Sequence, residues 1–345
     1  MKVVFFGSSD FSLEPVKALA GLKHDLVGVV TVPPAQKGRG QVLQKTEVHE
    51  WAEGRKIRVW CPEKLRSEEF LNAIRALQPD VFVVCSYGKI LPQVVLDIPS
   101  RLALNVHPSL LPKYRGAAPL NWQLINGEEY GGLTLFRMDA EMDSGDIVWQ
   151  ERFPIDLNET AETLSGKFSK MAAEKLSEIL DRVEKNALTF TPQDHTKMTL
   201  APKLSKADAK LDWGASAKEL HNRVRGLLPW PCAYTYFRGE TVRILKTVIA
   251  RRPEGPTKQS DMDVTPAQAG VQLDSRFRGN DKETSRNDSR TVPGQILTVR
   301  ADGALSVASG KDELLVYQVQ RENRKPMSAK EFANGVRLTQ NDRFE

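Results

Sequence analysis

Four short apolar runs punctuate the first hundred or so residues: Val3–Phe6, Leu26–Val32, the DVFVVCS stretch from Asp80 to Ser86, and Leu102–Val106. Each is too short for an amphipathic helix. Each is also apolar at successive rather than alternate positions, so both faces of such a strand must be covered. Helical spacing occupies two of the intervals, from about Ser12 to Leu22 and from Glu68 to Leu77. This alternation predicts an open doubly wound α/β domain, with a parallel sheet and a ligand crevice outside the carboxyl ends of its strands. The first run ends in Gly7-Ser8-Ser9, which is not G-x-G-x-x-G, so a nicotinamide or flavin cofactor is not expected.

The pattern changes further along. Thr160 to Val183 has helical spacing, with Leu164, Phe168, Met171, Leu176, Ile179 and Leu180 apolar. Asn186 to Leu204 carries Pro192 and Pro202 and reads as a connector. A short helix over Ala217–Val224 precedes Pro229-Trp230-Pro231 and then five short strands: Ala233–Phe237, Val242–Val248, Gly294–Val299, Leu305–Ala308 and Leu314–Val319. Short strands separated by turn residues predict a small OB-like β-barrel. The expected organisation is a catalytic domain over 1–188, a linker over 189–205 and a barrel domain over 206–345. Residues 254–292 hold mixed charges, one aromatic (Phe277) and few aliphatics, and are expected to be a disordered insertion between two barrel strands.

Composition narrows the partners and the compartment. With 345 residues the chain is long for one domain, and a net charge of +5 allows an anionic partner without demanding one. Cys61, Cys85 and Cys232 are far apart, with no C-x-x-C spacing, which argues against a disulfide framework or a zinc site. No apolar run approaches the length of a membrane span, and the apolar start is too short for a signal peptide. A cytoplasmic protein without a metal is expected. His24, His49, His195 and His221 carry no partner pattern.

Chemistry concentrates in two stretches. Asn105-Val106-His107 ends the fourth apolar run and continues as Pro108-Ser109-Leu110-Leu111-Pro112-Lys113-Tyr114-Arg115-Gly116-Ala117-Ala118-Pro119; Met138 to Asp146 is an acidic loop between two strands that contains Asp143. Asn, His and Asp together suit acyl transfer to an amine. The Asn amide donates to the oxyanion of the tetrahedral intermediate, the His moves a proton at neutral pH, and the carboxylate holds the imidazole in one tautomer. No Ser or Cys nucleophile is required, because the amine attacks directly.

NVHPSLLPKYRGAAP together with MDSGD closely resembles the folate-dependent formyltransferases, and most closely the branch that serves methionyl-tRNA. The resemblance covers nearly the whole chain outside 254–292. It implies that Asn105, His107 and Asp143 form the catalytic set, that Ser109, Leu110, Leu111 and Pro112 contact folate, and that Tyr87-Gly88-Lys89-Ile90-Leu91-Pro92 lines the same pocket through Tyr87, Gly88 and Ile90. Pro108 stands where a small residue is also common, and Ser144 replaces a frequent Thr. The implied reaction moves the formyl group of 10-formyltetrahydrofolate to the α-amino group of initiator methionyl-tRNA, in a monomer. The Pro33–Gln41 loop resembles the family's basic loop, which implies that Lys37 and Arg39 reach tRNA. In the second domain, Lys203, Lys206, Lys210, Lys218, Arg223, Arg225, Arg243 and Lys246 give a basic lean, and some of them are expected to line a tRNA-facing groove. Trp213 and Trp230 read as packing anchors there. The rival is an amino-sugar formyltransferase, which shares the catalytic set but usually lacks the R-G-A-A-P form and the basic loop.

Overall fold

Strand β1 (Lys2–Gly7) sends Val3 and Phe5 into one apolar cluster and Val4 and Phe6 into another, on opposite faces of the sheet. That division is why the run is continuously apolar. The computed structural model describes residues 1–37, 42–250, 291–339 and 341–345. Residues 254–290 of the expected 254–292 insertion and positions 38–41, with Arg39, therefore lie outside the described residues.

Along the chain follow α1 (Leu13–Leu19), β2 (Asp25–Val30), β3 (Ala35–Lys37), β4 (Val42–Gln44), α2 (Glu47–Gly54), β5 (Val59–Trp60) and α3 (Glu68–Arg75). Next come β6 (Val81–Cys85), α4 (Gln93–Leu96), β7 (Leu102–His107), β8 (Arg115–Gly116), α5 (Pro119–Ile125), β9 (Tyr130–Arg137), β10 (Ile147–Pro154) and α6 (Ala161–Glu184). The main sheet has the order β10-β9-β7-β6-β1-β2-β5. Its five strands from β7 to β5 are parallel, as the apolar runs predict.

The other two are antiparallel. β9 pairs antiparallel with β7, and β10 with β9, so the sheet is mixed. Gln150, Glu151 and Arg152 make β10 half polar, as an edge strand facing water on one side permits, and that hid it among the apolar runs. Helix α6 starts in a capping box between Thr160 and Thr163, and Leu164, Phe168, Ala172, Leu176, Ile179 and Val183 bury one face against the sheet and α1. Chain order reverses between β1 and β6, so the loops after these two strands flank a switch point where ligands bind.

The second half contains β11 (Leu200–Ala201), α7 (Ala217–Gly226), β12 (Tyr234–Phe237), β13 (Glu240–Ile249), β14 (Ile296–Val299), β15 (Leu305–Ala308), β16 (Glu313–Arg321), β17 (Met327–Ser328) and α8 (Ala329–Val336). Its antiparallel sheet runs β12-β13-β16-β15-β14, with β17 on β16. The C-terminal tail joins the two edges: Tyr236 and Glu345 exchange main-chain bonds of 3.0 and 2.9 Å, and the Phe344 N–H donates to the Gly294 carbonyl at 2.8 Å. The sheet thus curls into the expected barrel shape around Trp213, Phe237, Phe332 and Phe344. Trp213 is the anchor expected, stacked on Phe344 with its indole N–H donating to the Thr235 hydroxyl at 2.9 Å. Trp230 is not. It is 51% exposed, a departure that follows from its place between Pro229 and Pro231 in a turn that keeps it off the barrel core.

The connector is less free than its prolines suggest. Ile147 and Thr191 exchange two main-chain bonds of 2.9 Å, and β11 pairs with β8. Helix α7 packs on α5, where Asn121 Nδ2 donates to the Gly226 carbonyl at 2.7 Å. Among the described residues no helix is long and apolar enough to cross a membrane.

Candidate active site

A cleft of about 830 Å³ opens at the carboxyl ends of β1, β6 and β7. Asn105 and His107 sit on β7 two residues apart, so the strand's period of two turns both toward the same side. Asp143 arrives from the β9–β10 connection. Its Oδ1 accepts from Asn105 Nδ2 at 3.4 Å, and its Oδ2 lies 3.6 Å from His107 Nδ1. All three line the cleft.

The two imidazole nitrogens of His107 have separate duties. Nε2 lies 2.9 Å from the Tyr114 carbonyl oxygen, which only accepts, so Nε2 carries a hydrogen. Nδ1 is then the nitrogen left to take up and release a proton, and it faces the Asp143 carboxylate. When Nδ1 is protonated, that carboxylate meets a positive charge; His107 itself is buried, which strengthens the pairing.

The loop that carries Asp143 is bent into place. Asp143 has φ 54°, a left-handed conformation that Asp tolerates better than most residues. A Cβ at Gly145 would sit 1.8 Å from the Arg137 carbonyl oxygen, so only glycine fits there. On the other side the Gly116 N–H donates to Asp143 Oδ2 at 2.8 Å. Gly116 has φ 127°, and a Cβ there would lie 2.6 Å from the Ala201 carbonyl oxygen. Glycine at both positions lets the two loops close on the carboxylate.

Tyr87, Gly88 and Ile90 line the opposite wall, Ile90 with 76% of its surface exposed. Tyr87 is buried edge-on against Phe6, and its hydroxyl has no hydrogen-bond partner among the described residues; the Ser9 hydroxyl is likewise unsatisfied. Burial pushes the Tyr87 phenol above its ordinary range, so the buried hydroxyl stays neutral. Ser109, Leu110, Leu111 and Pro112 do not line the cleft, although Pro108 and Gly116–Ala118 on either side do. The Thr134 hydroxyl donates to the Ser109 carbonyl at 2.6 Å, and Gln150 Nε2 donates to the Leu111 carbonyl at 2.9 Å. These bonds tie the segment to β9 and β10 instead.

In the second half, Lys203, Lys206, Lys210, Lys218, Arg243 and Lys246 are exposed. Arg225 is not a surface cation. It is buried, bonded to Asn222 Oδ1 at 2.9 Å and to the Asp156 and Glu159 carbonyls at 3.2 Å, and it fastens α7 to the loop before α6. Two residues of the site were not legible as such in the sequence. Arg115 stands inside the quoted motif without a role, and Gln193 has no local signal beyond a neighbouring proline.

Comparison with known proteins identifies the family. A formyl transferase model matches residues 1–180, and a formyl transferase C-terminal domain model matches residues 203–337. The methionyl-tRNA formyltransferase of Acetivibrio thermocellus is 37% identical over 338 residues, covering 98% of this chain and 97% of that one. HypX from Aquifex aeolicus, solved in complex with tetrahydrofolic acid, superposes with a TM-score of 0.61 at 16% identity over 96% of this chain; the match spans 47% of HypX. WlaRD, a sugar 3N-formyl transferase solved in the presence of dTDP and 5-N-formyl-THF, gives 0.61 at 16% identity over 94% of this chain and 99% of that one. At such identities the two structures speak for the fold alone. With both domain models matched and a relative of this identity along almost its whole length, the chain belongs to the formyl transferase family, on its methionyl-tRNA formyltransferase branch.

Proposed function

We propose that this chain transfers the formyl group of 10-formyltetrahydrofolate to the α-amino group of initiator methionyl-tRNA, releasing tetrahydrofolate and formylmethionyl-tRNA. The observation that carries the reading is the meeting of Asn105, His107 and Asp143 in one open cleft. The methionyl amine, with a reference pKa of about 8, loses its charge readily near neutral pH. It attacks the formyl carbon, and the carbonyl electron pair moves onto oxygen. One Asn105 amide N–H points toward Asp143, which leaves the other for the oxyanion. His107 Nδ1 takes the proton from the attacking nitrogen and delivers it to the folate nitrogen as the carbon–nitrogen bond to folate breaks. Asp143 faces the imidazolium formed between these steps.

The cleft suits a folate donor. Tyr87, Gly88 and Ile90 offer an apolar wall suited to a flat ring system. Ser109–Pro112 supports this site from beneath, shaping the turn between His107 and Gly116. In this reading 1–188 is the catalytic unit and 206–345 the tRNA-facing unit of a cytoplasmic monomer. Lys37, at the end of β3, and Arg39, outside the described residues, would meet the acceptor end in this reading. Trp230 adds an exposed aromatic just beyond α7, whose Gly226 touches the cleft residue Asn121.

Labelled 10-formyltetrahydrofolate supplied together with charged initiator tRNA, glycinamide ribonucleotide and an amino sugar tests the acceptor. Label is expected on the aminoacyl-tRNA, with a rate that falls steeply as salt is raised. Label on the sugar instead would transfer the chain to the other branch.

A further inference from the structure

Gln193 lies in the connector, yet it is only 6% exposed, and both ends of its amide are bonded. Its Nε2 donates to the main-chain carbonyls of Asp143, at 2.9 Å, and Gly145, at 2.7 Å. Its Oε1 accepts from Arg115 Nε at 3.2 Å and from Nη2 at 2.7 Å. Arg115 is buried too, and no carboxylate among the described residues pairs with it; His195 Nδ1, 3.4 Å from both Nη atoms, is its other side-chain contact. The next residue, Gly116, donates its N–H to Asp143 Oδ2. The contacts close a ring: Asp143 main chain, Gln193, Arg115, Gly116, and back to the Asp143 carboxylate.

We propose that Gln193 is the positioning residue of the catalytic loop, holding Asp143 in its left-handed conformation so that the carboxylate meets His107 Nδ1. The inference rests on the catalytic reading of Asn105, His107 and Asp143. The loop's other main ties are side-chain or internal ones: Asn105 and Gly116 reach the Asp143 carboxylate, Ser144 Oγ and the Glu141 N–H donate to Asp139 Oδ1, and Arg137 pairs with Asp146, while Ala140, Glu141 and Met142 are exposed along the cleft. The main-chain carbonyls of Asp143 and Gly145 point away from the cleft toward Gln193, and a single amide nitrogen satisfies both. With those bonds gone, φ at Asp143 is free to relax. A displacement of about 1 Å at a catalytic group costs on the order of a hundredfold in rate.

Gln193→Glu separates positioning from support of Arg115. The carboxylate still accepts from Arg115 and gives that buried cation a counter-charge, but it turns an acceptor toward the two loop carbonyls. In the full-length enzyme, with 10-formyltetrahydrofolate and charged initiator tRNA, kcat is expected to fall by roughly ten- to a hundredfold. KM for the folate donor should change little, and Tm should stay at or above the parent value. Gln193→Met keeps the volume and loses every bond; its kcat should fall as far, with a lower Tm, and it answers the question if the charged variant does not fold. Parental kcat in either folded variant overturns the proposal. Asn105→Ala, run alongside, identifies which reading failed. If that variant is inactive while Gln193→Glu is fully active, only the positioning role falls; if Asn105→Ala is fully active, the catalytic reading falls and takes this one with it.

Discussion

His107 and His221 start from the same arrangement and end in different chemistry. Both are buried, at 4% and 3% exposure, and both place Nε2 2.9 Å from a main-chain carbonyl, that of Tyr114 for His107 and that of Leu157 for His221. The difference is at Nδ1. In His107 it faces a carboxylate across 3.6 Å at the wall of an open cleft. In His221, on α7, it accepts from the Thr247 hydroxyl of β13 at 2.9 Å. Both His221 nitrogens are therefore occupied, and the ring joins α7, the barrel and the loop before α6. One histidine has a nitrogen free for a proton; the other has spent both on packing.

Exchanging each ring for an amide gives the largest contrast. His107→Gln should lower kcat by roughly 10²–10⁴-fold, the usual share of a general acid–base group, with Tm nearly unchanged. His221→Gln should leave kcat close to the parent and lower stability by about 1–3 kcal/mol, through imperfectly satisfied buried groups. Steady-state rates and thermal melts on the same two proteins decide this, and equal losses of kcat in both would erase the distinction.

Asp143→Asn comes next. It removes the charge that faces Nδ1 while keeping an oxygen for the Gly116 N–H. A loss of about tenfold or more in kcat, equivalent to about 1.4 kcal/mol or more of barrier, is expected in single-turnover measurements. An unchanged rate would reduce the carboxylate to a loop contact.

The smallest effect is on the pH dependence of stability. Burial lowers the pKa of His221 below its ordinary 6.5, reinforced by the nearby Arg225 cation, while the backbone of Leu157 and Thr247, accepting from the protonated ring, opposes the shift. The unfolded chain therefore binds this proton more readily than the folded one. The stability contributed by neutral His221 is complete above the unfolded pKa and is lost as pH falls below it, toward the folded value. Denaturant unfolding followed from pH 8 to pH 5 should show a decline that His221→Gln flattens. The same slope in parent and variant would assign the decline to other groups.

Legibility followed the range of the interaction. β1, β6 and β7 could be read because a strand covered on both faces is apolar at every position, and Val81–Cys85 shows this within five residues. β10 was not placed in the sheet because Gln150, Glu151 and Arg152 in succession break that signature, and β9 because Gly131, Gly132 and Thr134 interrupt its apolar run although it is buried. Asn105 and His107 were legible as neighbours on one strand, and Asp143 through its resemblance to a motif. Gln193 was not, because its bond to Asp143 spans 50 residues and leaves no periodic trace. Trp230 was misplaced for a related reason: an aromatic beside prolines reads the same whether it caps a core or stands in solvent.

By itself the sequence determined the central parallel strands with the helices beside them, the antiparallel strands of the second half, and the residue types able to perform acyl transfer. These follow from local periodicity and side-chain chemistry, which neighbouring residues suffice to encode. Tertiary structure alone decided which nitrogen of His107 is tied to a carbonyl and which faces Asp143, which loops clamp Asp143, and that a buried arginine and a connector glutamine stand behind the site. Those outcomes depend on which carbonyls and carboxylates chain crossings bring within about 3 Å, the hydrogen-bonding range.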